Sequence, residues 1–393
     1  MALIDVIGRL CAVLPEGVLR RIPLAPFRYS PSQIPASPPT SDRARRLLVA
    51  PVNFAGQGYH WAHAAADVLS DTFGINMAYV AGPDTFAFEA DQRVPLPVYM
   101  WSRRWQRAQK KYVLENITHV LVEAQRPVFS GPFRSSLPRE VRLMQQAGVQ
   151  VAALCHGSDI RLPSRHARDF PESPFTRELL PELSRLEREV RRRAHVLDRM
   201  NVPTFVSTPD LLRDVPDATW LPVVVDAPAW KAPRAALAAG RKLVVAHAPS
   251  KAAVKGTDAI EPILHRLHDE GVIDYLPISG IKHADMPAAF AKADVVLDQF
   301  RLASYGVAAC EAMAAGRLVV SHVSDEVRAH VHEVTGRELP IVQARIEELE
   351  RVLREVASAP RRFAGIARRG VEFVDHVHSG TFSAQVLAPF LGA

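Results

Sequence analysis

Four short stretches of the chain carry side chains able to do chemistry. The first is His247-Ala-Pro-Ser-Lys251, which runs on to Lys255-Gly256-Thr-Asp258, with Glu261 in capping-box spacing after Asp258. A basic residue beside a helix N-terminus suits an anion, because free amides and the helix dipole both point at it. Lys251 and Lys255 could therefore grip a diphosphate; the bland alternative is a pair of solvated loop lysines. The second stretch, Gly306-Val-Ala-Ala-Cys-Glu311-Ala-Met-Ala-Ala-Gly316, is small or apolar between its glycines except at Glu311. A carboxylate on a buried helix is costly unless paired. Its partner is either an arginine, Arg317 or Arg301, or the hydroxyls of a ligand such as a ribose. The third is Cys155-His156-Gly157-Ser158-Asp159-Ile-Arg161. A histidine with a carboxylate three residues on could serve in acid–base work or bind sugar hydroxyls, or be a loop histidine capped locally by Asp159; Arg161 is a further candidate. The fourth, Asn53-Phe-Ala-Gly56-Gln-Gly58, holds glycines that let a backbone approach a ligand, or make a tight turn.

These stretches fall where short apolar runs end. Strand-like runs occur at Leu47–Val52, Ile75–Val80, His119–Val122, Val149–Leu154, Thr204–Val206, Leu243–Ala246, Val272–Ile278, Val295–Leu297 and Leu318–Val320. Helical patterns lie between, at about residues 58–72, 135–147, 176–194, 257–270, 285–292 and 306–315. Buried strands alternating with helices predict an α/β protein with parallel sheets covered on both faces. The alternation breaks between Pro222 and Gly240, which reads as a hinge between two Rossmann-like domains facing across a cleft. Ligands in such sheets sit beyond the carboxyl ends of the strands, so the cleft is the expected site. Ahead of this, residues 1–20 fit an amphipathic surface helix, and six prolines between Pro23 and Pro39 indicate an extended arm.

Composition narrows the class. The 393 residues are 48% hydrophobic and 23% charged, with a net charge of +6. That excludes a wholly disordered chain and points to anionic partners without choosing among them. Cys11, Cys155 and Cys310 form neither a disulfide framework nor a metal pair, which suits a reducing cytoplasm. No apolar run is long enough to span a bilayer, and the N-terminus lacks the basic start of a signal peptide. The pairs His265/His268, His330/His332 and His376/His378 lack the spacing of a zinc site, so no metal is expected. Trp101-Ser-Arg103-Arg104-Trp105, continuing to Lys110-Lys111-Tyr112, could lie on an anionic membrane or be a core helix with a solvated basic face. No nucleic-acid reading module is present.

The run Lys255-Gly256, followed about fifty residues on by Tyr305-Gly306-x4-Glu311-Ala-Met-Ala-x-Gly316-x-x-Val319-Val320, resembles the donor half of GT-B glycosyltransferases. The retaining family four is most similar. The resemblance implies that Lys255, assisted by Lys251, binds the diphosphate of a nucleotide sugar. It implies that Gly306 and Val307, with Ser304 and Tyr305 before them, hold phosphates or sugar, and that Glu311 binds the ribose. It places His156 beside the donor sugar, with Asp159 near it, and the Asn53–Gly58 loop at the cleft. The chain departs from the pattern at Ala303, where the family often has a sugar-binding glutamate, and at Lys251, where it often has an arginine. Gln299 and Arg301 are the alternatives for the sugar contact.

The implied organisation is an N-terminal arm (1–45), an acceptor domain (46–225), a donor domain (226–372) and a helix returning to the first domain (373–393). The implied activity is metal-independent transfer, with retention, from a UDP- or GDP-sugar and with no separate cofactor. The acceptor would be a glycan, a lipid-linked or a small molecule, and the protein cytoplasmic, with the inner membrane face a further candidate partner. The alternatives are a catalytically silent GT-B module binding a sugar nucleotide or a partner, and a charge-driven membrane-surface binder.

Overall fold

The computed structural model describes residues 8, 11, 13–19, 21, 28–82, 87–131, 133, 136–238 and 240–393. Twelve strands form two sheets among these residues. The first holds β1 (Arg45–Ala50), β2 (Thr72–Val80), β3 (Gln92–Pro95), β4 (His119–Glu123), β5 (Gln150–Cys155), β6 (Thr204–Val206) and β7 (Thr219–Trp220). Its order is β3-β2-β1-β4-β5-β6-β7. The second holds β8 (Leu243–His247), β9 (Ile273–Pro277), β10 (Val295–Leu297), β11 (Leu318–Ser321) and β12 (Val342–Gln343), ordered β12-β11-β10-β8-β9. Every strand pair is parallel. The principal helices are α1 (Gln57–Val68), α2 (Arg103–Asn116), α3 (Leu137–Gln146), α4 (Leu183–Met200), α5 (Thr257–Asp269), α6 (Val307–Ala314), α7 (Asp325–Thr335), α8 (Leu349–Ser358), α9 (Pro360–Phe373) and α10 (Thr381–Leu391).

In each sheet the chain first builds outward on one side, then returns to the other. The reversal falls between β1 and β4 in the first sheet and between β8 and β10 in the second. Loops diverge at such a switch point, leaving a crevice at the carboxyl ends. The loops after β1, β8 and β10 carry the Asn53–Gly58, Lys251–Lys255 and Asp298–Gly306 stretches. Strand periodicity divides the second core. Val295, Leu297, Leu318 and Val320 face one buried cluster with α5 and α8. Val296 and Val319 face the other, which contains Cys310 and Met313 of α6 and continues into the core of the first sheet.

The nine expected strands are present. β3, β7 and β12 were not expected; β7 and β12 have only two residues, and all three are edge or near-edge strands with too few residues to show alternation. The helix expected at 176–194 starts instead at Leu183, after turns that contain Pro181. The capping box at Asp258 does not form: Gly256 is the N-cap of α5, and Asp258 binds Arg301. Most of the amphipathic helix expected over residues 1–20 lies outside the described residues. So does part of the proline arm, whose described portion is irregular apart from one turn at Pro31–Gln33.

The segment Pro222–Val225, which follows β7, is pinned from three sides. Gln57 donates from Nε2 to the Val224 carbonyl (2.9 Å) and accepts the Val224 amide (2.7 Å). Trp61 Nε1 donates to the Pro222 carbonyl (2.8 Å), which also accepts the Ser383 hydroxyl of α10 (2.8 Å). His378 accepts the Val225 amide on its carbonyl, and its Nδ1 donates to the Val223 carbonyl (2.7 Å). The last helix is thereby fixed against α1.

Candidate active site

A cavity of about 320 Å³ opens where the two sheets face each other. The second half supplies most of its wall: Lys255, Asp298, Gly306, Val307, Ala308 and Glu311, with the loop after β9. The first half contributes Ala55 and Phe88. Four expected donor residues, Lys255, Gly306, Val307 and Glu311, therefore share one wall, although Lys255 lies about fifty residues before the other three.

Local structure explains how. Lys255 ends a single helical turn, Ala252–Lys255, and Gly256 then takes a left-handed conformation (φ +86°) that only glycine adopts cheaply before α5 begins. Lys255 Nζ donates to Asp298 Oδ1 (2.8 Å), and the Gly306 amide donates to Asp298 Oδ2 (3.0 Å). Asp298 is fully buried at the end of β10. At the start of α6, the amides of Val307 and Ala308 have no acceptor among the described residues, as the first turn of a helix leaves its donors free.

Glu311 is buried, and neither arginine considered for it is its partner. Arg317 donates to the carbonyls of Ala293, Ala315 and Arg234. Arg301 forms a two-pronged pair with Asp258 (2.8 Å each). The partner is His283, whose Nε2 lies 2.6 Å from Glu311 Oε1. Burial pushes the Glu311 carboxyl up, against the lowering effect of His283. The hydrogen bond to Glu311 raises His283 in turn. The imidazole packs against Phe88 and Trp230, with ring centroids 4.8 and 5.7 Å away.

Other expected residues lie off the cavity wall. Lys251 is exposed. Tyr305 turns into the core, its hydroxyl 3.4 Å from His378 Nε2. Ser304 is buried, its carbonyl accepting from Gln299 Nε2 (2.7 Å). Ala303 is fully buried at φ +52°, so no side chain reaches the cavity from the position where the family often has glutamate. His247 binds the Leu297 carbonyl through Nδ1 (3.0 Å) and Thr257 Oγ1 through Nε2 (2.8 Å); burial lowers its pKa to about 4, so it is a neutral tie between strands and α5.

In the first half, Asn53 fastens its loop: Nδ2 donates to the Glu89 carbonyl (2.6 Å) and Oδ1 accepts the Tyr59 amide (3.1 Å). Gly56 is left-handed at the start of α1, and a Cβ there would meet Phe88 at 3.3 Å. Gly58 is needed for packing, because a Cβ would come within 2.7 Å of Asn76 Nδ2 and 3.1 Å of Glu123 Oε2. Asp159 accepts the amides of His156 (2.9 Å) and Gly157 (2.7 Å), closing its own turn and leaving the imidazole to another group. That group is Glu123, fully buried at the end of β4, whose Oε1 is 3.0 Å from His156 Nε2. Phe54 packs edge-on over the imidazole at 5.1 Å. Arg161 pairs with buried Asp210; burial pushes this carboxyl up, but Arg161 and neighbouring hydroxyls outweigh it and hold it below the usual range.

Sequence reasoning singled out none of His283, Glu123 and Asp298. His283 approaches Glu311 from 28 residues away with no local signal. A carboxylate closing a buried strand at a switch point, as Glu123 and Asp298 do, was the legible clue. Among the described residues no three His, Cys, Asp or Glu side chains converge as metal ligands, and no helix is long and apolar enough to cross a membrane. Trp101, Trp105 and Tyr112 are buried, so the aromatic face of the basic segment belongs to the core, and Arg104, Arg107, Lys110 and Lys111 form its exposed face.

The two facing parallel sheets define the GT-B fold. No family profile and no curated protein matches the chain in sequence. Among solved structures, HepE from Anabaena, in complex with UDP and glucose, superposes with a TM-score of 0.55 at 12% identity, covering 89% of this chain and 99% of that one. Sucrose-phosphate synthase from Thermosynechococcus elongatus gives 0.53 at 12% identity, with 88% and 98% covered. WaaG, a glycosyltransferase involved in lipopolysaccharide biosynthesis, gives 0.51 at 14%, with 88% and 100% covered. At these identities the likeness is one of fold.

Proposed function

We propose that the chain is a glycosyltransferase that binds a nucleotide-diphosphate sugar, UDP- or GDP-linked, on the 226–372 half. An acceptor would enter from the 46–225 half, with residues 373–393 tying the halves together. The observation carrying this reading is the convergence of Lys255, the free amides of Val307 and Ala308, and Glu311 on one cavity at the facing carboxyl ends of two parallel sheets. The HepE complexes with UDP and with UDP-glucose give the same fold a ligand of this class.

In this reading Lys255 and the α6 start offset the charge that develops on the leaving diphosphate, an electrostatic contribution that is often the largest in such catalysis. Glu311 accepts ribose hydroxyls beside His283. His156, oriented by Glu123, contributes from the first half, and transfer proceeds with retention and without a metal. Calorimetry with UDP, GDP and their glucose conjugates tests the site. Lys255→Ala and Glu311→Ala should each weaken binding at least tenfold, and unchanged affinity in both would refute the assignment. Ala303, whose side chain leaves the sugar side of the cavity without a carboxylate, favours the second reading, a silent sugar-nucleotide-binding module. Mass spectrometry of products from a panel of sugar nucleotides and acceptors separates the two.

A further inference from the structure

The two groups assigned to the diphosphate already share an anion. Asp298 places one carboxylate oxygen 2.8 Å from Lys255 Nζ and the other 3.0 Å from the Gly306 amide. Carboxylate and phosphoryl oxygens accept from cations and amides in the same way, and Asp298, though fully buried, forms part of the cavity wall. We infer that Asp298 is the resident occupant of the phosphate position and sets how strongly the cavity takes a diphosphate. The inference rests on the donor-site reading above and adds a residue to it.

The charges around the cavity support this. Lys255 is balanced by Asp298, and His283 by Glu311. Arg301 is committed to Asp258 and to the Ala253 carbonyl, and Lys251 is exposed and off the wall. An entering diphosphate finds the Val307 and Ala308 amides free but competes with Asp298 for Lys255 and for Gly306. The competitor is tethered to the same chain, so its effective concentration is high. The opposing account makes Asp298 a strut that joins the end of β10 to the Ala252–Lys255 turn and to α6. The accounts differ in sign. Removing the charge of a competitor strengthens anion binding, whereas removing the charge of a strut weakens it or leaves it unchanged.

The test is calorimetric titration of the full chain with inorganic pyrophosphate and, separately, with UDP. Asp298→Asn keeps the side-chain shape and removes the charge; it should bind both ligands at least tenfold more tightly than the parent. The gain should vanish in Asp298→Asn/Lys255→Met. A folded Asp298→Asn that binds pyrophosphate no more tightly than the parent, including no detectable binding by either, overturns the inference, as does a gain that survives loss of Lys255. If Asp298→Asn does not fold by circular dichroism, Asp298→Ser is judged by the same criteria, and failure of both to fold establishes the strut. Failure of the donor-site reading looks different: pyrophosphate binds more tightly to the variant, but no nucleotide or nucleotide sugar outcompetes it.

Discussion

Glu311 and His283 show how much of the cavity depends on a single contact. A buried carboxylate needs a partner, and the imidazole supplies it at 2.6 Å. Because Glu311 raises the His283 pKa above its ordinary 6.5, the protonated imidazole is held more tightly in the folded chain than in the unfolded one. That stabilisation is complete below pH 6.5 and is lost as pH rises through the raised value. His283→Ala should lower stability by about 1–3 kcal/mol at pH 6, the cost of leaving a buried acceptor unsatisfied, and by less at pH 8.5. Urea unfolding at the two pH values checks this; an equal loss at both would show that the pair does not titrate with folding. The residues found from sequence, Lys255, Gly306 and Glu311, were legible because each stands at a local break in pattern: a lysine before a glycine, or one carboxylate in an alanine helix. His283 was not, and Glu123 and Asp298 offered only their place at the end of a buried strand, because their partners His156, Lys255 and the Gly306 amide are brought close only by the assembled sheets.

At the scale of elements, two glycines separate what the fold requires from what the cavity requires. Gly74 in β2 lies under α1, where a Cβ would stand 1.8 Å from the Ala62 carbonyl oxygen. The obstacle is backbone, so strand and helix must move apart. Gly306 has extended backbone (φ −125°), and a Cβ there would have no neighbour nearer than Asp298 Oδ2 at 4.0 Å. Gly74→Ala should therefore destabilise by at least about 2 kcal/mol, as overpacking against an unyielding wall does. Gly306→Ala should stay within about 0.5 kcal/mol of the parent yet, if the cavity takes the nucleotide, weaken UDP binding, because Gly306 lines that cavity. Chemical denaturation and calorimetry on the same two proteins decide it; a large stability loss in Gly306→Ala would make this glycine structural. The central strands were legible because, buried on both faces, they carry unbroken apolar runs such as Leu47–Ala50, Val120–Val122 and Leu243–Ala246. The edge strands β3, β7 and β12 were hidden because two to four residues hydrogen-bonded to few neighbours leave no pattern to read.

Across the whole molecule, the segment Pro222–Val225 and the C-terminal segment meet beside the second half of the chain, and His378 stands where they meet. Its Nδ1 donates to the Val223 carbonyl (2.7 Å), its Nε2 is 3.4 Å from Tyr305 Oη of the second half, and its ring lies 6.3 Å from that of Trp220 in β7. Fully buried, it has a pKa lowered from 6.5 to about 4, mainly by burial. The unfolded chain therefore takes up this proton at a higher pH than the folded one, so the His378 contribution to stability falls as pH drops from about 6.5 towards 4. Between pH 7 and pH 5 the linked loss is on the order of 2 kcal/mol for that shift. His378→Asn retains a donor for Val223 and does not titrate, so the acid-side loss should shrink by about that amount, although the variant is less stable at pH 7 for want of packing. Urea unfolding of parent and variant at pH 7 and pH 5 gives the double difference; parallel losses in the two proteins would show that the seam between the halves does not feel this proton. Because the same junction fixes how the first half faces the cavity, acid that weakens it should also weaken UDP binding in the parent more than in His378→Asn.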